Sequence, residues 1–429
     1  MEQVNVGLLG FGTVGGGTYE LLTKNADIIA NRTGSKICVK KIYVRNPKKY
    51  EAVQLPEGTV FVDDVQSVLE DPDIQIVVEV IGGTTFAAEC VETALRNGKN
   101  VATANKDLLA EKGPYLLDLA AKNGVDLRYE ASVLGGIPII RTLYDSLGGN
   151  RITELVGIMN GTTNFILSNM TERGAGYAEV LQEAQALGYA EADPTADVEG
   201  YDAARKLAIL SSIAFNRRIF FDDVHCEGIT KIDATDIAFG KEFGYTVKLL
   251  GIAKETKKGL SLNVHPCFIS NNHPLASVRG SYNAIYVRGN GIDDAMFYGR
   301  GAGSLPTGSA VVSDVMEIAK NVTAGATGKL RPFYYPDKNL YAPGKIESSY
   351  YMRLLVDNST GVLAKVAGKL AEQRISVQSV IQRNEDEQTA TLAIVTAACP
   401  RSYLLNVIDA FNNLRVVKAV DSVIRIMAD

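Results

Sequence analysis

The apolar positions of the chain follow three rhythms in succession, and each predicts a different kind of layer. Near the start they come in short blocks. Residues 4–9 form an apolar run, 36–44 reads as a second strand and 74–81 as a later, buried parallel strand. Helical periodicity begins at Thr18 and again over 107–121, so strands and helices alternate and an α/β fold with a parallel sheet is predicted. In the middle, shorter apolar stretches at 260–264 and 284–287 predict strands of a mixed second sheet, and 310–321 reads as a helix. Beyond Tyr350 the pattern alternates with period two over 350–356, turns at Asp357 to Gly361, and becomes helical to about Gln373. Strands at 377–382 and 389–396, a helix at 401–414 and a last strand near 422–427 complete a βαββαβ order, the signature of a small ferredoxin-like domain. Residues 322–347, rich in Gly, Pro, Lys and Tyr without a helical period, read as a connection.

The first run ends in Gly10-Phe11-Gly12-Thr13-Val14-Gly15 and leads into a helix. This is GxGxxG in the strand–turn–helix setting that a dinucleotide requires. Gly10 permits the tight turn, Gly12 lets backbone approach a pyrophosphate, and Gly15 lets helix and strand pack closely. After the second strand, where NAD enzymes place an acid for the ribose, stand Arg45, Lys48 and Lys49, with no acid before Glu51. A cation there suits a 2′-phosphate. NADP is favoured over NAD, with use of both left open. Thr103-Ala-Asn-Lys106 follows an apparent strand and opens a helix, which puts Lys106 where an open α/β sheet exposes groups to ligands.

A second candidate site is the acidic stretch from Ala184 to Lys206. It sets Glu191, Asp193, Asp197, Glu199 and Asp202 ahead of one lysine in a loop interrupted by Gly and Pro. Such a loop is a poor core element, because unpaired carboxylates are costly to bury. Asp202 and Lys206 stand four apart on one helix face, a carboxylate beside a proton donor. Asn160-Gly-Thr162-Thr163-Asn164 groups small polar residues where a strand yields to a helix, suited to a polar substrate or equally to an N-cap at Thr162 or Thr163. Gly135-Gly136 after Glu130 reads as a turn, with carbonyls that a monovalent cation can use. Gly301-Ala-Gly303 is a second glycine turn before a helix, either closing over the nicotinamide end or making a tight crossover.

Composition narrows the class. At 429 residues two or three domains are expected. A net charge of −5 without like-charge blocks speaks against nucleic acid and anionic membranes as partners. No apolar run reaches the roughly 20 residues of a membrane helix, and the N-terminus has no basic export region. Five scattered cysteines read as free thiols in a reducing cytoplasm. The three histidines have no metal-ligand spacing and read as structural, so lysine is to be considered where a proton donor is needed.

With these motifs in place, the chain resembles the homoserine dehydrogenases, in the bacterial form with a C-terminal ACT domain. The resemblance runs over essentially the whole chain. It rests on Ala184, Gly188, Asp193-Pro194, Asp197, Gly200, Asp202 and Lys206 in register, with Gly10, Gly12 and Gly15, Thr103 to Lys106, Asn160 to Asn164, and Gly301 to Gly303. It implies NAD(P)-dependent interconversion of L-aspartate 4-semialdehyde and L-homoserine, on the way to threonine, methionine and isoleucine. Lys206 is then the proton donor, and Lys106 its partner in orienting substrate. Glu191 and Asp202 bind the substrate ammonium, with Asp197 and Thr162 beside them. Residues 10–15, Arg45, Thr103, Lys106, Gly188 and Gly303 contact the cofactor. Glu130 with the carbonyls of Val133, Gly135 and Ile137 corresponds to a sodium site. The resemblance divides the chain into a Rossmann NAD(P)-binding domain (1–130, to which the chain returns around 305–325), an α+β substrate and dimerisation domain (131–321), a linker (322–347) and an ACT domain (348–429). ACT modules bind small effectors between copies, which implies a homo-oligomer, dimer or tetramer, and threonine as an effector.

Two other readings compete. One is a different NAD(P) dehydrogenase acting on an amino acid, against which the 184–206 pattern speaks. The other is a catalytically silent protein that binds nucleotide and amino acid for regulation, against which Lys106, Lys206, Glu191 and Asp202 speak.

Overall fold

The computed structural model describes residues 1–329, 334–335 and 337–427. The chain packs as two compact units, one of Met1–Ile152, Arg205–Asp223 and Arg288–Lys338, the other of Thr153–Ala204, Val224–Val287 and Asn339–Asp429.

In the first unit the three blocks become strands β1 (Glu2–Leu9), β2 (Ser35–Tyr43) and β4 (Ile76–Glu79). They are joined by β3 (Val60–Val62), β5 (Asn100–Thr103) and β6 (Leu127–Arg128). The order is β3-β2-β1-β4-β5-β6 with every pairing parallel. This is the doubly wound nucleotide-binding order, whose crevice opens where strand order reverses, at the carboxyl ends of β1 and β4. Val4, Val6, Leu8, Ile76 and Val78 are all within 1% of complete burial; β4 is buried along its whole length, whereas β1 alternates exposed Gln3 and half-buried Asn5 with Val4 and Val6. The long helix Ser304–Thr323 returns to this unit and crosses helix Thr13–Lys24. At the crossing a Cβ on Gly17 would lie 2.3 Å from the Ser304 carbonyl, and one on Gly308 would lie 2.8 Å from Gly17. The helix starts six residues before the expected 310. Pro306 sits in its first turn, where a missing N–H costs nothing.

In the second unit lie β7 (Ile152–Ile158), β8 (His225–Cys226), β9 (Tyr245–Thr256), β10 (Gly259–Ser270) and most of β11 (Tyr282–Gly289); β12 (Asp293–Arg300) follows in the chain. The expected strands at 260–264 and 284–287 are the interiors of β10 and β11. β10 runs on past 264 through the buried His265 and Pro266, so the pattern understated its length. C-terminal to these come β13 (Glu347–Asp357), helix Val362–Glu372, β14 (Val377–Asn384), β15 (Thr389–Thr396), a short β16 (Cys399–Pro400), helix Arg401–Asn412 and β17 (Val417–Ile426). They pair in the order β17-β13-β15-β14, all antiparallel, as a ferredoxin-like module. β17 also pairs in parallel with β10, at Cys267 with Arg425 and Phe268 with Ile426. The module's sheet is therefore continuous with the middle sheet. Of the expected connection at 322–347, residues 330–333 and 336 lie outside the described residues. No described helix is long and apolar enough to cross a membrane, and all five cysteines are free thiols.

Candidate active site

At the carboxyl end of β1 the chain turns through Gly10, whose φ of +103° is closed to other residues without strain. A Cβ there would meet the Val80 carbonyl at 2.9 Å. Gly15 is tighter still, since its Cβ would lie 2.2 Å from the Gly10 carbonyl. Gly12 differs. An added Cβ would meet nothing within 4 Å, so the smallness of Gly12 serves the open space beside it, not packing. The helix that follows, Thr13–Lys24, has no side-chain cap at its N-terminus and no acid in its first turn. Its N–H groups and dipole are left for an anion, and the turn fits a dinucleotide pyrophosphate. Phe11 packs edge-on against Tyr19, Tyr50 and Phe61, with ring centroids 5.2–5.6 Å away. This aromatic cluster fixes the turn Pro47–Tyr50, which follows the exposed Arg45 and carries Lys48 and Lys49.

At the end of β4 the buried carboxylate of Glu79 accepts from the Ile81 and Gly82 amides at 2.9 and 3.1 Å. The Thr103 hydroxyl donates to the same carboxylate and accepts from the Asn105 amide. Thr103 is thus buried in the framework, and it reaches a ligand only through the loop it helps to hold. Asn105 caps helix Lys106–Lys122 by accepting from the Leu108 amide, while its own amide donates to the Gly83 carbonyl at 2.7 Å. Lys106 therefore opens a helix whose start is pinned to the crevice wall. Asp107 pairs with Arg205 at 3.3 Å. Lys106 precedes one partner and Lys206 follows the other, so one ion pair ties together the helix turns that carry the two lysines.

Glu130 is buried, and its two carboxylate oxygens accept from the Ile140 and Arg141 amides at 2.8 and 2.7 Å. Its own amide donates to Asp314. Burial and the nearby Glu130 push the Asp314 carboxyl up to about 8, and burial raises Glu130 as well. Leu134 and Gly135 both have left-handed backbone, at φ +54° and +51°, and the Ile137 amide closes the turn on the Leu134 carbonyl at 3.0 Å. Two buried carboxyls beside such a turn form an oxygen-rich, electron-rich setting that fits a hard monovalent cation. A Cβ on Gly135 would meet Gly301 at 2.6 Å, and the Gly136 amide donates to the Arg300 carbonyl. The turn therefore packs directly against the Gly301–Gly303 loop. Gly303, at φ +123°, starts helix Ser304–Thr323.

The acidic loop lies in the second unit. Asn160 accepts from Thr163 at the start of helix Gly161–Arg173. Its amide nitrogen donates to Asp197 at 2.6 Å and to Asp202 at 2.9 Å. One amide thus holds two carboxylates side by side, one turn before Lys206 on helix Tyr201–Ala214. Thr162 donates to the Tyr189 carbonyl at 2.7 Å, tying the exposed stretch at Gly188 and Tyr189 to the same helix start. Gly188, at φ +74°, closes helix Tyr177–Ala186. Glu191 is exposed, and its carbonyl accepts from Gln185. Glu79 was not among the expected site residues, and Asn160 entered only with the polar 160–164 group; the N-cap expected at Thr162 or Thr163 is Asn160 itself, whose side chain accepts from the Thr163 amide. An acid closing an aliphatic strand, and the first residue of an N-cap motif, were the available signals.

Comparison with known proteins agrees with this geometry. The family model "Homoserine dehydrogenase, NAD binding domain" matches residues 10–130, and the model "Homoserine dehydrogenase" matches 138–316. The chain is 42% identical to the homoserine dehydrogenase of Bacillus subtilis over 99% of both chains. It is 44% identical to that of Corynebacterium glutamicum over 100% of this chain and 96% of the other. The chain belongs to the homoserine dehydrogenase family. Among solved structures, a homoserine dehydrogenase from Thiobacillus denitrificans matches with TM-score 0.93 and 41% identity over 100% of this chain and 99% of that one. A hyperthermophilic archaeal homoserine dehydrogenase in complex with NADPH matches 74% of this chain and 97% of its own, with TM-score 0.63 and 27% identity. Membership assigns the chain an NAD(P)-binding domain and homoserine dehydrogenase activity.

Proposed function

We propose that the chain reduces L-aspartate 4-semialdehyde to L-homoserine reversibly, with Lys206 delivering the proton to the aldehyde oxygen. A nicotinamide cofactor supplies the hydride. The residues of the chain have three tasks. The alkoxide that develops as the carbonyl is reduced needs a cation and a proton, and Lys206 offers both. Lys106 orients the aldehyde beside Lys206. Glu191 and Asp202 receive the substrate ammonium, while Asp197 and Thr162 shape the loop around it. What best supports this reading is the shared amide of Asn160, because it arrests Asp202 one helical turn from Lys206 before substrate arrives.

NADP is the preferred cofactor on the strength of Arg45 and the cationic turn at Lys48 and Lys49. Residues 10–15, Gly188 and Gly303 bracket it. Glu130, Val133, Gly135 and Ile137 would hold a sodium ion whose part is to stiffen the turn that abuts Gly301–Gly303. The domain boundaries at 130, 321 and 347, a homo-oligomeric assembly and a cytoplasmic setting complete the proposal. So does an amino-acid effector of the C-terminal module, with threonine as the first candidate. The test is steady-state oxidation of NADPH and NADH with L-aspartate 4-semialdehyde. Rapid turnover with a lower KM for NADPH is expected. Absence of turnover despite tight cofactor binding would instead favour the silent regulatory reading.

A further inference from the structure

Within the first unit, the segment Arg205–Asp223 is fastened to helix Lys106–Lys122 at two places. Near the start of the helix Arg205 pairs with Asp107 at 3.3 Å, and about three turns further on Arg218 pairs with Asp118 at 3.0 Å. Each arginine also lies over an aromatic ring. The guanidinium carbon of Arg205 is 5.1 Å from the centre of Phe221, and that of Arg218 is 5.3 Å from the centre of Tyr334. A planar cation engaged by a carboxylate and a ring face at once keeps little freedom, which a lysine in its place would regain. The two clamps therefore share one chemistry. They differ in what lies beside them. Arg218 and Asp118 adjoin no residue of the candidate site. Arg205 precedes Lys206 and Asp107 follows Lys106, so the first clamp joins the chain at the two positions next to the lysines.

One half of this clamp is already rigid. Asn105 caps the helix through the Leu108 amide and donates to the Gly83 carbonyl, so Asp107 rises from a fixed first turn. The other half is not packed all round, because a cavity of about 700 Å³ opens beside Arg205 and reaches Gly83 and Asp222. The place of Arg205 is thus set by Asp107 and Phe221. Both side chains of the pair are partly exposed, Arg205 at 32% and Asp107 at 42%, and such pairs add little to global stability. What the pair supplies is position. We propose that Arg205 is a positioning residue of the reduction step, setting the separation of Lys106 and Lys206 through its bridge between Asp107 and Phe221. The proposal rests on the roles of the two lysines given above. A general acid acts only within hydrogen-bond reach of the oxygen it protonates, and an error of about 1 Å can cost about 10²-fold in rate. Loosening Arg205 lets the helix turn of Lys206 drift from that of Lys106 without removing either lysine.

The test is single-turnover reduction of L-aspartate 4-semialdehyde by the NADPH-bound full-length protein, with thermal melts and NADPH titration of every variant. Expected is a chemical rate about 10–10²-fold lower in Arg205→Met, with NADPH affinity and melting temperature close to wild type. Asp107→Asn combined with Arg205→Met is no slower than Arg205→Met alone, because the two side chains act as one unit. Arg205→Lys, which keeps the charge and loses the planar fork, recovers part of the rate. Arg218→Met opens the matching clamp and leaves the rate comparable to wild type. Equal losses in Arg205→Met and Arg218→Met, losses that add in the double variant, or losses that track melting temperature overturn positioning in favour of a purely structural role. A wild-type rate in Arg205→Met, beside a slow Lys206→Met, overturns the positioning and leaves the lysine assignment intact. A fast Lys206→Met overturns that assignment and the inference with it.

Discussion

The glycine turn after β1 and the acidic loop before helix Tyr201–Ala214 are organised by opposite means. The first works by leaving side chains out. Gly10 and Gly15 are glycine because backbone occupies the place of a Cβ at 2.9 and 2.2 Å, and Gly12 because open space must stay open. The loop works by side chains holding one another. Asp197 and Asp202 are set by the amide of Asn160, itself locked as the cap of a neighbouring helix. A steric site is specified by absence, so its parts fail differently when substituted. A site of mutually held carboxylates is specified by a donor, and it depends on residues that touch no ligand.

The contrast can be broken most sharply at the glycines. Gly15→Ala forces a Cβ onto the Gly10 carbonyl and should cost about 1–3 kcal/mol of stability, together with cofactor binding. Gly12→Ala should leave thermal unfolding unchanged and weaken NADPH binding alone. Thermal melts paired with fluorescence titration of NADPH separate the two, and equal melting losses would show that Gly12 is also a packing position. Next comes the loop. Asn160→Asp replaces the shared donor with a third carboxylate and should lower kcat/KM for homoserine about 10²-fold, mainly through KM, while NADPH affinity stays as it was. A loss confined to kcat would place the role of Asn160 elsewhere.

A smaller effect tests cofactor choice. Arg45→Ala should reduce the preference for NADPH over NADH by about tenfold, or about 1.4 kcal/mol, in the ratio of kcat/KM values. An unchanged ratio would move the selectivity to Lys48 or Lys49. Smallest is a pH effect on the second unit. Burial, helped by Arg425, lowers the His265 imidazole from 6.5 to about 3. Its folded pKa lies below the unfolded one, so its stabilising contribution is complete above about 6.5 and is lost as pH falls toward 3. The slope of unfolding free energy in that window should drop by up to about 1.4 kcal/mol per pH unit in His265→Gln. An unchanged slope in chemical denaturation at pH 4–6 would show that His265 is protonated without penalty.

The comparison also explains what the sequence made legible. The parallel strands were legible as apolar blocks, most plainly at β4, which is buried along its whole length. The glycine turn was plain because a missing Cβ is written directly in the chain. β15 was bounded correctly over 389–396 by its flanking turn residues. β10 was cut short at 264 because His265 reads as surface and Pro266 as a strand breaker, although both are buried in the paired strand. β17 begins at Val417, five residues before the expected start, because Lys418 and Asp421 interrupt an apolar pattern that the helix before it shares. At the site, the carboxylates and Lys206 stood out as an acidic run with one lysine. Asn160 did not, since its role lies in a contact across 37 and 42 residues. Thr103 looked like a ligand-facing hydroxyl, yet it is spent on Glu79. Pairings of this range come from the topology, which local pattern does not contain.

The decisive measurement is single-turnover reduction of L-aspartate 4-semialdehyde by the NADPH-bound protein, wild type against Lys206→Met, with NADPH affinity measured in parallel. Expected is a fall in the chemical rate of about 10²–10⁴-fold at unchanged NADPH affinity, since a general acid contributes about that much. A chemical rate within a few-fold of wild type would show that the proton comes from another group, with Lys106 the next to test.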